Sequence, residues 1–307
     1  MNRLLWLMVL VCGARSISCL AAPDRATLER VAREAMGQRH GTVVLLDATS
    51  SRLIACSDPR LAFQTAGEPG SVFKVVTAAA ALETHVTDAH ARVECRPRMT
   101  AHESFLCTTL QGHGSLTITD ALAQSCNVHF QELGRRLTAE ALHHWARRFG
   151  FGAPTGLAPS GVAEVAGTLP QPASALQRAK QAIGQGGITA TPAQVAQAYL
   201  RVSSGRAPDG PLCSPETLRL VRQGLRDAVV RGTARHAALS NLAVAGKTGT
   251  PEAAATGLAR RAWFAGYAPA DDRGGGVVIV VFLTGGRGGR DAAPVAQAVL
   301  RRYFAGD

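Results

Sequence analysis

The sequence has almost no lysine. Lys74, Lys180 and Lys247 are the only three, in a basic total of 33 that is otherwise arginine. Arginine holds its charge at any working pH, whereas a buried lysine can shed its proton. The places that keep lysine are therefore where proton chemistry is to be sought. Aromatic residues are scarce, at 5%, while alanine is abundant, so the core has to be filled by small side chains. No C-x-x-C or H-E-x-x-H spacing occurs, and a metal site is not expected. Basic runs interleaved with aromatics are missing, which counts against nucleic acid as a partner. The longest early apolar run, residues 4–14, is too short to span a bilayer comfortably and is ended by Arg15.

What remains is a chain of 307 residues, 46% hydrophobic, with a net charge of +11. That length fits one large domain or two small ones, and the charge favours anionic partners such as an acidic wall polymer or anionic lipid. Arg3, the apolar run and the small residues Ala21 and Ala22 follow the order of a secretory signal peptide cleaved near Ala22. This leaves residues 23–307 as a single exported domain, periplasmic or in the cell envelope. An uncleaved N-terminal membrane anchor is the alternative. Five cysteines follow the leader, and disulfides persist outside the cytosol. Cys95 and Cys107 flank a short polar stretch and are the expected bridge, worth ~3 kcal/mol by loop closure.

Helical spacing runs over residues 24–39. Residues 42–47 and 53–56 form a hairpin pattern, and residues 71–83 read as one alanine-rich helix. Three short helices fall between 116 and 150, broken near Asn127 and Thr138. Proline and glycine mark a long loop over 152–172. Thr191-Pro192 and Ser214-Pro215 each start a helix. Strand-like runs at 242–250, 261–267 and 277–284 precede a closing amphipathic helix, 291–304. Strands at both ends with helices between predict an α+β fold, in which one mostly antiparallel sheet is covered by helices.

Three short constellations stand in order: Ser71-Val72-Phe73-Lys74 opening a helix, Ser125-Cys126-Asn127 at a helix break, and Lys247-Thr248-Gly249-Thr250 on a strand. A helix start favours developing negative charge at Ser71, and Lys74 lies one turn on. A lysine kept neutral by desolvation and a second cation, Lys247, can be the base that a serine nucleophile needs. Ser125 can relay a proton. Asn127 can hold a peptide backbone, and Thr248 and Thr250 can take a carboxylate. The amides of Ser71 and Thr250 can form an oxyanion hole, since Pro251, which has no amide hydrogen, falls just beyond. Lys180 reads as a solvated helix residue, and His113, between two glycines, as a turn residue. Each motif alone is weak; their order, and the two lysines within them, carry the weight.

With Glu68–Lys74, Ser125–Phe130, Ala182–Gly186, Ala245–Thr250 and Ala262–Pro269, the chain from residue 41 to its C-terminus resembles the transpeptidase domain of class B penicillin-binding proteins. The resemblance implies a five-stranded antiparallel sheet with flanking helices, and no cofactor. It implies acylation of Ser71 by the D-Ala-D-Ala end of a peptidoglycan stem peptide, then cross-linking to a second stem's amine. With water as acceptor it implies carboxypeptidase activity, and β-lactams are expected to trap Ser71. Class B members carry a large region ahead of this domain, and about twenty residues between leader and first strand are not expected to supply it. A class D β-lactamase usually has a hydrophobic residue where Asn127 stands. A β-lactam sensor or a wall-binding module is the non-enzyme reading, against which the three intact motifs speak. A P-loop would need glycine at position 241, which is Asn241.

Overall fold

An uninterrupted apolar run such as Val277–Leu283 is stable only with both faces covered, and that requirement organises the molecule. The computed structural model describes residues 23–96, 107, 109–251, 261–271 and 276–305; the expected leader, 1–22, lies outside the described residues. In chain order the elements are α1 (Arg25–Met36), β1 (Gly41–Asp47), β2 (Leu53–Cys56), α2 (Pro59–Gln64), a 3₁₀ turn (Gly70–Phe73) and α3 (Lys74–Glu83). Next come β3 (Val93–Cys95), β4 (Gly114–Leu116), α4 (Ile118–Gln124), α5 (Asn127–Arg136), α6 (Ala139–Phe149) and α7 (Ala175–Gln181). The chain continues with α8 (Pro192–Ser204), β5 (Arg206–Ala207), β6 (Gly210–Pro211) and α9 (Pro215–Val230), then β7 (Ala245–Gly249), β8 (Ala262–Ala268), β9 (Val277–Leu283) and α10 (Ala293–Ala305).

The main sheet has the order β2-β1-β9-β8-β7 and is antiparallel throughout. Both ends of the chain build it, as the sequence pattern predicts. Period-two alternation sorts the strands between two cores. Val43, Leu45, Ile279 and Val281 face α1 and α10 through Leu28 and Val299. Val44, Leu46, Val280 and Phe282 face the helices of the other layer, including Val75 and Val195. Strand β7 ends the sheet and is an edge.

Helix α3 lies at the centre of that second layer, with nine of its ten residues buried, Lys74 to Leu82. The run Ala78–Ala81 explains how: side chains this small let neighbouring helices close in on every side. The expected single helix from Ser71 is instead a 3₁₀ turn running into α3, closed by the Lys74 amide donating to the Ser71 carbonyl. Side chains three apart eclipse in a 3₁₀ turn, a geometry that favours Ser71 and Lys74 facing the same side of the chain. Helices α4, α5 and α6 break where expected, and Thr191 caps α8 in a full capping box with Gln194. The short elements α2, α7, β3–β4 and β5–β6 were not expected, since segments of two to seven residues carry too little periodicity to show.

The turn bearing Ser71 is held from outside by Gly184. The Gly70 amide donates to the Gly184 carbonyl at 2.9 Å. Gly184 has φ +74°, and a Cβ there would stand 2.2 Å from the Gly70 carbonyl oxygen. Gly184→Ala is therefore expected to cost about 1–3 kcal/mol in backbone conformation alone, and to displace the turn as well. Thermal unfolding should show a clear drop in Tm together with slower acylation of Ser71. An unchanged Tm would contradict this account of the turn.

Candidate active site

The site begins with a strained residue. Ser125 closes α4 in the left-handed region, φ 57° and ψ 35°, where a side chain other than glycine's costs of order 1–3 kcal/mol. Cys126 then caps α5, its sulfur accepting from the His129 amide. This sharp joint turns three oxygens toward Lys74. Its Nζ donates to the Ser125 carbonyl at 2.7 Å and to Asn127 Oδ1 at 2.8 Å, and lies 3.4 Å from Ser125 Oγ. The first two oxygens can only accept. A neutral amine has two hydrogens, so both are used there and the lone pair is left for a hydroxyl.

Lys247 arrives from β7. Its Nζ donates to Ser125 Oγ at 2.7 Å and to the Thr248 carbonyl at 3.0 Å. The Ser125 hydroxyl therefore lies between two amines, and both lysines are fully buried. Burial pushes Lys74 down to about 8. Burial, reinforced by the neighbouring Lys74, holds Lys247 well below the usual lysine range. Two protonated amines around one hydroxyl in a dry site repel each other and lack solvent, so the pair holds fewer than two full charges near neutrality. The Phe130 ring, 5.4 Å from Lys74 Nζ, closes the other side.

The remaining predicted residues are placed as follows. Ser71 is half-buried on its 3₁₀ turn, which packs against β7. A Cβ on Gly249 would stand 2.8 Å from the Pro69 carbonyl oxygen, so glycine is what lets strand and turn touch. Thr248 is buried and donates to Thr233 Oγ1 at 2.9 Å, which keeps its hydroxyl engaged within the protein. Thr250 is exposed just past the strand, its Oγ1 accepting the Gly288 amide at 3.0 Å. Lys180 is exposed, as expected. Thr233 was not singled out by sequence reasoning and no motif marks it; Phe130 lies in the Ser125–Phe130 stretch that carried the resemblance but was given no role there. Nor was His129, a fully buried imidazole with no hydrogen-bond partner among the described residues. Burial, with the Lys74 charge nearby, pushes it down to about 4, so it is neutral.

The expected Cys95–Cys107 bridge is not formed; both are free thiols. Both sulfurs instead contact His113 Nδ1, at 3.5 Å from Cys95 and 3.3 Å from Cys107. Cys107 Sγ also lies 3.9 Å from Cys126 Sγ. Four potential metal-ligating atoms thus fall within 4.8 Å of one another. The expectation of no metal-ligating set, and of a plain turn role for His113, rested on local spacing. This set is assembled by the fold from the end of β3, Cys107, the residue before β4 and the α4–α5 joint.

The family model for the penicillin binding protein transpeptidase domain matches residues 41–301. Stage V sporulation protein D of Bacillus subtilis (strain 168) is 31% identical over 278 residues, covering 76% of this chain and 41% of that protein. Peptidoglycan D,D-transpeptidase MrdA of Acinetobacter baumannii is 29% identical over 237 residues, covering 62% of this chain and 34% of that protein. In fold, the chain is similar to penicillin-binding protein A of M. tuberculosis in a ceftriaxone acyl-enzyme complex. The TM-score is 0.78 at 21% identity, covering 93% of this chain and 80% of that one. The chain spans 41% and 34% of the lengths of the two curated relatives.

Proposed function

The chain belongs to the penicillin binding protein transpeptidase family, and from that premise we propose that it is a serine D,D-transpeptidase acting on peptidoglycan stem peptides. The observation that carries the reading is the Ser125 hydroxyl held between two buried lysines, one of which, Lys74, directly follows the 3₁₀ turn that bears Ser71. Ser71 Oγ attacks the carbonyl between the two terminal D-alanines while its proton passes to Lys74 Nζ. The tetrahedral oxyanion is met by the amides of Ser71 and Thr250. On collapse the bond to the last D-alanine breaks, and its amine takes a proton through Ser125 Oγ. The acyl-enzyme is then attacked by the amine of a second stem, giving the cross-link and restoring Ser71.

Edge strand β7 suits an extended peptide, which can pair along it. In this reading Asn127 holds the peptide backbone and Thr248 and Thr250 take the terminal carboxylate, a role that the exposure of Thr250 supports. β-Lactams enter as substrate mimics and stop at the acyl-enzyme; a protein of this fold forms such a complex with ceftriaxone. The peptidoglycan substrate lies outside the cytoplasm, consistent with a leader over 1–22 and a domain over 23–307. No helix among the described residues is long and apolar enough to cross a membrane.

Fluorescent penicillin labelling followed on a denaturing gel tests the reading. A stable band is expected. A band that appears and quickly decays would indicate a β-lactamase, and no band at any concentration would indicate a binding module that retains the fold.

The pH dependence has a defined sign. Below about 8, where burial places Lys74, the amine is protonated and cannot accept the Ser71 proton. Labelling rates should therefore rise with pH through that region and level off above it. A rate flat from pH 6 to 9 would remove Lys74 as the base.

A further inference from the structure

We propose that the cavity between the last turn of α6, helix α8 and the β5–β6 hairpin is a binding site for a phosphate group, gripped by Arg147 and Arg201. The cavity measures about 330 Å³, and its lining includes His144, Arg147, Arg148, Arg201 and Asp209. None of the active-site residues lines it. Its volume lies at the small end of ligand pockets, about 300–1,000 Å³.

The charge in the cavity is unbalanced. Three guanidiniums share one carboxylate, and that carboxylate is already committed: both oxygens of Asp209 accept from Arg148 Nη1, at 2.9 and 2.8 Å. Arg148 is spent on the hairpin as well, its Nε donating to the Leu212 carbonyl at 2.7 Å and its Nη2 to the Pro211 carbonyl. Arg147 is exposed, and its side chain has no hydrogen-bond or ion-pair partner among the described residues.

Arg201 carries the argument. Two other arginines cap helix ends with Nε and Nη2 together. Arg178 donates from that edge to the Gly134 and Arg135 carbonyls of α5, at 3.0 and 3.1 Å. Arg222 donates from it to the Val202 and Ser203 carbonyls of α8, at 3.0 and 2.6 Å. Arg201 caps α6 differently, reaching the Arg147 and Arg148 carbonyls with Nη1 alone. Its Nε–Nη2 edge is left without a partner among the described residues, and that edge is the fork that fits a phosphate in bidentate fashion. Burial, with the Arg148 charge beside it, lowers Arg201 from its usual range, so an anion in the cavity would relieve a cation that the fold leaves undercompensated.

His144 and Arg147 lie three residues apart on α6 and so share a face. Donors arriving from two helices suit a tetrahedral anion, whose oxygens point in several directions, better than a carboxylate with two oxygens in one plane. A soluble phosphate ester and the headgroup of an anionic lipid share this chemistry.

Isothermal titration of the full mature chain with inorganic phosphate at constant ionic strength should show saturable binding in the millimolar range or below. Arg147→Gln and Arg201→Gln should each weaken it by about tenfold or more, the scale of a lost charge-assisted hydrogen bond. Arg147→Gln breaks no bond of the fold, so it decides the matter even if Arg201→Gln, which uncaps α6, is unstable. Arg226→Gln removes an exposed arginine outside the cavity and should bind phosphate as the wild type does. Acetate should not compete. Sedimentation with phosphatidylglycerol vesicles, against phosphatidylcholine vesicles, separates the two sources. Pelleting that Arg147→Gln loses and Arg226→Gln keeps assigns a lipid headgroup. Pelleting that is absent, or unaffected by Arg147→Gln, assigns a soluble ester where phosphate binding holds. The proposal is overturned if phosphate binding does not saturate, if Arg147→Gln binds no more weakly than Arg226→Gln, or if acetate binds as well as phosphate.

Discussion

Ser71→Ala is expected to abolish covalent β-lactam labelling and to reduce turnover of a stem-peptide substrate by about 10⁶-fold, the usual scale for loss of a serine nucleophile. No neighbouring hydroxyl can take over: Ser125 Oγ is engaged by Lys247 and faces Lys74, while Thr248 is tied to Thr233. The fold should survive, because Ser71 is half-buried and no side-chain hydrogen bond among the described residues rests on it. Intact-mass spectrometry after β-lactam incubation makes the comparison directly. The wild-type chain should gain one adduct and the variant none. A stoichiometric adduct on the folded variant would mean that another residue is the nucleophile.

Lys74→Arg is the second large effect. Arginine keeps its proton at any working pH, so the variant retains a cation and loses a base. General-base catalysis contributes about 10²–10⁴-fold, and acylation should fall by that factor or more. Arginine is also bulkier in a site with no exposure, and Tm must be followed alongside the rate. A folded variant that acylates within tenfold of the wild-type rate would assign the base elsewhere. Raising the pH should not rescue the variant, whereas it speeds the wild-type enzyme through the region where Lys74 titrates.

Much of this site was legible because its chemistry is carried by rare residues in fixed order. Lysine is so sparse that Lys74 and Lys247 stood out before any fold was known, and the structure brings both to one hydroxyl. The sheet was legible from runs such as Val277–Leu283, whose length and β-branched content leave few alternatives. What stayed hidden depends on tertiary geometry. The first turn is 3₁₀ and is held from outside by the contact between Gly70 and Gly184, which no local pattern announces. Thr233 meets Thr248 across elements with no shared motif. The thiol cluster spreads over four segments, none of which resembles a metal-binding spacing, and the pair Cys95 and Cys107 suggested a bridge where the fold instead sets both sulfurs against His113.

Helix α3 has a consequence for how such a protein can change. Its alanines touch neighbours on all sides, so adding methyl groups there overpacks a filled interior at about 1–3 kcal/mol, a large share of the 5–15 kcal/mol that holds a typical domain folded. The backbone under the nucleophile is therefore closed to gradual adjustment. Selection for a different acyl donor, or for escape from a β-lactam, has its openings at the rim instead, where exposed positions can be exchanged with less disturbance of the interior. Variation among descendants of this sequence should accordingly gather around the mouth of the site and leave the helix beneath it nearly fixed.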